Sequence, residues 1–318
     1  MIVVTGGAGF VGSNLVAGLN RAGVSDILVV DDLRSGDKQG NLDANRFAEY
    51  VDKDEFLPLL EGGRFGGTIE AVLHQGACTD TMAADTAYVM RNNTEYSKAL
   101  LAYALARRIP FVYASSASVY GNRGMCVERP EHEEPLNLYA RSKLAFDRHV
   151  RQMLPQAAAT VAGLRYYNVY GPREAHKGRM ASMVWQLYRQ IKARGEMRLF
   201  VGSGGYGDGE QRRDFIWVGD VVDVNLFFLD GPVRQGIFNT GTGASRSFND
   251  IARTLMQLNG GGTLAYVPFP RELEGKYQSF TQADVGALRA AGYGRPFTSL
   301  EEGIRSYWAA VKPGPARG

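Results

Sequence analysis

Along the first half of the chain, short apolar and β-branched runs alternate with longer stretches whose apolar positions recur every three or four residues. The runs 2–5, 26–30, 69–74 and 109–115 predict strands buried on both faces, because apolar side chains dominate them without a regular polar alternation. Residues 10–22 and 84–108 predict helices between them. Strand then helix, repeated, predicts an α/β architecture with a parallel sheet covered on both sides. Right-handed crossovers make such a sheet doubly wound. A further helix is expected over 139–154, stopped by Pro155, and a further strand over 159–166.

The pattern changes after Asn168. Gly171-Pro172 punctuates the chain and a polar stretch, 174–179, follows. Helices are expected over 180–194 and 248–258, and strands over 215–218 and 236–239. The stretch 202–209 holds five glycines and is expected to be a mobile loop. The tail 312–315 is expected to fray. We therefore divide the chain into a sheet domain, 1–168, and a smaller, mainly C-terminal lobe, 169–318. No internal repeat is evident.

Composition narrows the classes. The 318 residues, 45% hydrophobic and 22% charged, can bury a core without staples. A formal charge of +3, with the basic residues scattered, gives no support to nucleic-acid binding. No apolar run reaches the length of a membrane span. The first residues enter a strand at once, so no secretory signal is expected. Two cysteines and four histidines lack disulfide or metal-site spacing, so no metal is expected and the cytoplasm is the expected compartment.

The first chemical signal is Thr5-Gly6-Gly7-Ala8-Gly9-Phe10-Val11-Gly12. A glycine pattern alone is weak. Here it follows a strand and opens a helix, the setting in which backbone N–H groups approach a pyrophosphate and the helix N-terminus adds favourable charge. Asp31 ends the next strand about 20 residues past Gly12, the offset of a carboxylate on an adenosine ribose. Asp31 with Asp32 favours NAD by charge. Arg34, Lys38 and Lys53 would instead clamp a 2′-phosphate, or are surface charges. His74 reads as a core histidine closing its strand, and Gln75-Gly76-Ala77 follows it beside the expected cofactor.

The second signal is Tyr139 and Lys143, one turn apart at the start of a helix. A nearby ammonium would lower the phenol's pKa from its usual value of about 10. Ser116, at the end of a strand, could reach the same reacting hydroxyl. Tyr-x-x-x-Lys alone would read as an aromatic beside a surface lysine. Behind a glycine-rich turn it reads as catalytic.

Gly6 to Gly12, Ser116, Tyr139-x-x-x-Lys143 and the run Arg213-Asp214-Phe215-Ile216-Trp217-Val218-Gly219-Asp220-Val221 together resemble the extended short-chain dehydrogenase/reductases. Asn168-Val169-Tyr170-Gly171-Pro172-Arg173-Glu174-Ala175-His176-Lys177-Gly178, with His74-Gln75-Gly76-Ala77-Cys78, Arg91-Asn92-Asn93, Gly275-Lys276-Tyr277-Gln278 and Phe280-Thr281-Gln282-Ala283-Asp284, sharpens the resemblance. It points to the sugar-nucleotide epimerases that act on an ADP-linked heptose, and it covers nearly the whole chain.

The resemblance implies a Rossmann sheet, with a segment near 213–240 returning to it from the substrate-binding lobe. It implies cofactor contacts at Gly6, Gly9, Phe10, Val11, Gly12, Asp31, Asp32, Lys38, Lys53, Gln75 to Thr79 (through Gly76, Ala77 and Cys78), Asn92, Lys143, Val169 and Lys177. Nucleotide-sugar contacts are implied at Asn168, Arg179, Gln186, Phe200, Val201, Gly202, Ser203, Arg213 and Tyr277. Tyr139 and Lys177 would be the paired acid/base groups, with Lys143 and Ser116 in support. The implied reaction is oxidation at C6″ to a ketone and re-reduction on its other face. It would use one tightly held NADP per subunit of a homo-oligomer, a homopentamer by resemblance, and supply lipopolysaccharide core.

This chain departs from that pattern at four of these positions. Asp32 stands for Asn, which leaves NAD open, and Gln75 for Glu. Arg179 and Gln186 stand for Ser and His. A UDP-hexose 4-epimerase would share the glycine turn and the Tyr–Lys pair without needing His176-Lys177. A 4,6-dehydratase would need an Asp-Glu pair where Ala117-Ser118 follows Ser116. A non-catalytic nicotinamide sensor would not need Ser116, Tyr139 and Lys143.

Overall fold

The computed structural model describes residues 1–34, 37–80, 84–269 and 278–311. The tail expected to fray, and Tyr277, lie outside the described residues.

In chain order, the first elements are β1 (Ile2–Thr5), α1 (Phe10–Arg21), β2 (Ile27–Asp31), β3 (Glu49–Asp52), α2 (Lys53–Glu61), β4 (Ala71–His74), α3 (Thr86–Met90), α4 (Tyr96–Arg107) and β5 (Phe111–Ser116). Next come β6 (Met125–Cys126), α5 (Leu138–Met153), β7 (Val161–Tyr166), β8 (Asn168–Tyr170), α6 (Met183–Arg194), β9 (Glu196–Phe200) and β10 (Arg212–Trp217). The chain continues through α7 (Val218–Leu229), β11 (Gln235–Thr240), β12 (Ser245–Ser247), α8 (Phe248–Asn259), β13 (Thr263–Val267), β14 (Gln282–Ala283), α9 (Gly286–Ala290) and α10 (Leu300–Ala310).

Seven strands form one parallel sheet in the order β11-β7-β5-β4-β1-β2-β3. The order reverses between β1 and β4, so a crevice opens outside the carboxyl ends of these strands. Successive residues of β1 serve opposite faces. Val4 packs with Leu15, Val16, Val222 and Phe228, under α1 and α7. Val3 packs with Phe56, Leu100, Phe146 and Val150, under α2, α4 and α5. Both faces are apolar, which is why the strands lack alternation. The lobe has its own core, where Val184 and Ile191 of α6 meet Phe215, Ile251, Leu255 and Ile304.

From the segment 213–240, α7 lies on α1 and β11 joins the main sheet beside β7, whereas β10 pairs with β8 and β12 in a separate sheet.

Three expectations are corrected. The helix expected over 84–108 is two helices joined by a π-helical turn, Arg91–Glu95. Buried Asn93 sits in that turn; its Oδ1 accepts from the Cys78 N–H (2.7 Å) and its Nδ2 donates to the Cys78 carbonyl (2.9 Å) and Ser142 Oγ (3.0 Å). A π turn places one residue out of helical step, as such a clamp requires. The helix expected from 180 begins at Met183, because Ser182 caps it by accepting from Trp185 N–H (3.2 Å). The glycine-rich loop is pinned: Gly202 N–H donates to Asp208 (2.7 Å) and Asn249 Nδ2 to the Asp208 carbonyl (2.8 Å).

Among the described residues, no helix is long and apolar enough to cross a membrane.

Candidate active site

The crevice at the strand-order reversal continues into the gap between sheet and lobe as one cleft of roughly 1400 Å³. The glycine turn forms its floor. Gly6 has φ +65°, and a Cβ there would lie 2.7 Å from Gly76 N. A Cβ on Gly12 would lie 2.0 Å from the Gly6 carbonyl oxygen. These two glycines let α1 start hard against the turn. No side chain caps α1 at Gly9, so its first amides remain available to an anion. The Tyr96 hydroxyl, also lining the cleft, is buried with no hydrogen-bond partner among the described residues. A bare helix N-terminus, a cradle that any Cβ would fill and an unpartnered phenol together fit a dinucleotide.

The charged groups at the end of the cleft beside β2 are already engaged. Asp31 accepts from Ala8 N–H (2.9 Å) and pairs with Lys38 (2.8 Å). Asp32 pairs with Arg34 (2.9 Å), which also meets Asp54 (2.8 Å). The Arg34 guanidinium holds the Asp32 carboxyl below its usual pKa. Lys53 pairs with Asp54 (2.8 Å). Lys38, Lys53, Asp31 and Asp32 line the cleft, and Arg34 does not.

Around the loop after β4, Gly76 to Thr79 and Asn92 line the same wall. Gln75 is fixed by donation from Tyr166 (2.9 Å) and by its own donation to Asn225 (3.2 Å). His74 is the core histidine expected. It bonds Thr5 (2.6 Å) and Ser97 (2.7 Å), and burial pushes its pKa down to about 3.

Asn137 caps α5 and so fixes Tyr139 and Lys143 in its first turns. Ser116 and Tyr139 share a hydrogen bond through their hydroxyls. Lys143 is buried and donates to the Ala114 carbonyl (2.7 Å). Burial brings its pKa down to about 8, against a partial upward pull from Asp147. The expected depression of Tyr139 is not present. Burial raises its phenol, and Ser116 only partly offsets this. The physical reason is that Lys143 is turned to a carbonyl of β5.

The opposite wall comes from the lobe. Asn168, Val169, Lys177, Arg179, Gln186, Phe200 and Arg213 all line the cleft. Lys177 sits with its ammonium 5.2 Å from the Phe10 ring centroid, and burial lowers its pKa. Arg179 reaches across the cleft to Asp80 (3.4 Å), and Gln186 donates to the Gly178 carbonyl (2.8 Å). Val201, Gly202 and Ser203 follow Phe200 but do not line the cleft; Gln211 ties Val201 and Ser203 together instead. Sequence reasoning gave no role to Asn93, Asp80, Glu174 or Gln211. Asn93 and Glu174 carried a signal, since each lies in a run on which the resemblance rests.

The cleft thus has the fittings of a dinucleotide site, and the chain belongs to the NAD dependent epimerase/dehydratase family, whose model matches residues 2–241. It is 54% identical over 316 residues to the ADP-L-glycero-D-manno-heptose-6-epimerase of Alkalilimnicola ehrlichii, covering 99% of each chain. Among solved structures it is similar to the Helicobacter pylori ADP-L-glycero-D-manno-heptose-6-epimerase, at 32% identity and TM-score 0.86, over 97% of this chain and 95% of that one. A UDP-glucose 4-epimerase of Thermotoga maritima, with UDP-glucose, matches at 28% identity and TM-score 0.78, over 96% of each chain.

Proposed function

We infer that this chain is an epimerase that interconverts ADP-D-glycero- and ADP-L-glycero-D-manno-heptose at C6″. The observation that carries the reading is the entry of Lys177 into the same cleft as Tyr139 and Ser116, which puts a second proton-transferring group on the lobe side. Full-length similarity to two ADP-heptose epimerases supports the substrate.

Carbon C6″ bears no acidic proton, so simple deprotonation cannot invert it. When bound, the nicotinamide supplies the redox chemistry, accepting hydride from C6″ and returning it to the other face of the ketone so formed. The protein's own residues handle the proton on the C6″ oxygen. Burial disfavours the charged form of each group, so it favours a neutral amine at Lys177, which has a lone pair to accept a proton, and a neutral phenol at Tyr139, which has a proton to give. Ser116 holds the phenol in line. Lys143, charged below about pH 8, anchors the helix start against β5 and lines the cleft, where it would hold the nicotinamide ribose.

The finer assignments are proposals on the same ground. Residues 6–12, Asp31, Asp32, Lys38, Lys53, 75–79, Asn92 and Val169 hold the dinucleotide, with NADP preferred and retained between turnovers. Lys38 and Lys53 would exchange carboxylate partners for the 2′-phosphate, while Asp32 keeps NAD usable. Asn168, Arg179, Gln186, Phe200, Arg213 and Tyr277 hold the nucleotide-sugar, with Val201, Gly202 and Ser203 behind Phe200 and outside the cleft. The sheet domain, 1–168, with the return near 213–240, carries the cofactor and the remainder of 169–318 the substrate. We place the enzyme in the cytoplasm as a homo-oligomer supplying lipopolysaccharide core.

Parallel assays with ADP-D-glycero-D-manno-heptose and UDP-glucose test the reading. The heptose is expected to equilibrate to its C6″ epimer and UDP-glucose to remain unchanged. Conversion of UDP-glucose alone would select a hexose 4-epimerase instead.

A further inference from the structure

The segment that carries Lys177 and Arg179 is held from within by one side chain. Glu174 is 0% exposed. Its carboxylate accepts from Gly171 N–H (3.2 Å) at one end of the segment and from Ser182 N–H (2.5 Å) and Ser182 Oγ–H (2.8 Å) at the other. Its backbone carbonyl accepts from Lys177 N–H (3.0 Å). The Tyr307 phenol of α10 adds a further hydrogen bond. From outside, α1 fastens the same segment: Asn14 donates to the Pro172 carbonyl (3.0 Å) and Arg173 to the Ser13 carbonyl. His176 meets Asn41 (3.1 Å). The segment therefore bridges the glycine turn and the lobe.

Burying a carboxylate is costly unless its lone pairs are filled. Among the described residues no cation is in contact with Glu174 to offset that cost, and its pKa is raised by burial. Its use lies in geometry. Only a group that accepts on both oxygens can hold N–H donors from both ends of the segment. A glutamine of the same shape would turn an NH₂ donor toward one of those donors.

We propose that Glu174 is a positioning residue for Lys177, fixing where its ammonium stands in the cleft. The proposal rests on Lys177 taking part in epimerisation. Glu174 does not touch substrate; it acts through the segment it closes. Its charge also acts on Lys177, raising the ammonium's proton affinity against the burial that lowers it. The other groups around Lys177 are the Phe10 ring on α1 and His176 on its own segment, with Lys38 and Asp31 beyond His176.

The test compares wild type, Glu174→Gln and Glu174→Asp in heptose epimerisation, with melting temperature and cofactor affinity measured on each. Glu174→Gln is expected to lower kcat about 10²-fold, the scale of a misplacement near 1 Å, with cofactor affinity unchanged and a smaller rise in KM, since Arg179 rides on the same segment. Its pH–kcat limb due to Lys177 should move to lower pH, because the charge that raises the ammonium's proton affinity is gone. Glu174→Asp keeps the charge but cannot span both ends, so kcat should fall while that limb stays in place. If Glu174→Gln does not fold, Glu174→Asp decides by the same readings.

Losses of kcat, cofactor affinity and melting temperature in step would overturn the proposal and leave Glu174 a stabilising residue only. So would unaltered kcat in both variants beside an active wild type. An inert wild type overturns the reading beneath the proposal instead.

Discussion

Tyr139→Phe is expected to lower kcat by about 10²–10⁴-fold, the span of one general acid–base group, with cofactor affinity unchanged. The substitution removes one hydroxyl and leaves the ring, so α5 keeps its Asn137 cap and Lys143 keeps its bond to the Ala114 carbonyl. Ser116 loses the phenol but retains Ser118, whose hydroxyl donates to it (2.9 Å). The fold therefore has no reason to change, and the loss belongs to proton transfer at the substrate oxygen. Steady-state kinetics on the heptose, beside a cofactor titration, checks it. Turnover at the wild-type rate would remove Tyr139 from the chemistry.

Lys177→Met is expected to cost kcat on the same scale, about 10²–10⁴-fold. Met keeps an unbranched stem of similar reach and discards the ammonium. The contact with the Phe10 ring loses its cationic part, worth about 0.5–1 kcal/mol at a partly exposed site, so the segment should stay closed on Glu174. A two-base scheme requires both single variants to fail. Full activity in Lys177→Met, with Tyr139→Phe inactive, would make Lys177 a binding residue and leave one group to serve both faces of the ketone.

The residues proposed to carry the chemistry were legible in the sequence because their types and spacings answer largely to local geometry. Gly12 is required by a 2.0 Å approach to the Gly6 carbonyl oxygen within one tight βα turn, and Gly6 by its φ of +65° in that turn; the 2.7 Å approach of Gly6 to Gly76 N is tertiary. Strand β1 lies where the apolar run predicts it, Ile2–Thr5. Tyr139 and Lys143 need only helical periodicity to share a face.

What was not legible depends on tertiary partners. Helix α7 is apolar almost all round because it packs against α1, so it shows no period to read. The π turn at Arg91–Glu95 contains neither Gly nor Pro. It follows from the clamp that Asn93 makes on Cys78, far away in sequence. Glu174 sits in a polar run, and residue type there argues for exposure. Its burial follows from the two segment ends it joins. Lys38 and Lys53 read either as phosphate ligands or as surface charges, and each stands against a carboxylate. Identity gave the charge but not the partner.

The central claim is that this chain inverts C6″ by moving hydride out and back within one cleft. The most direct measurement is to incubate the purified protein with ADP-D-glycero-D-manno-heptose in deuterium oxide, adding no cofactor, and to follow C6″ by NMR. The account predicts the L-glycero epimer with its C6″ hydrogen still protium, since hydride returned from a retained nicotinamide does not exchange with solvent. Deuterium at C6″, or no epimer even after NADP⁺ and NAD⁺ are supplied, would contradict it.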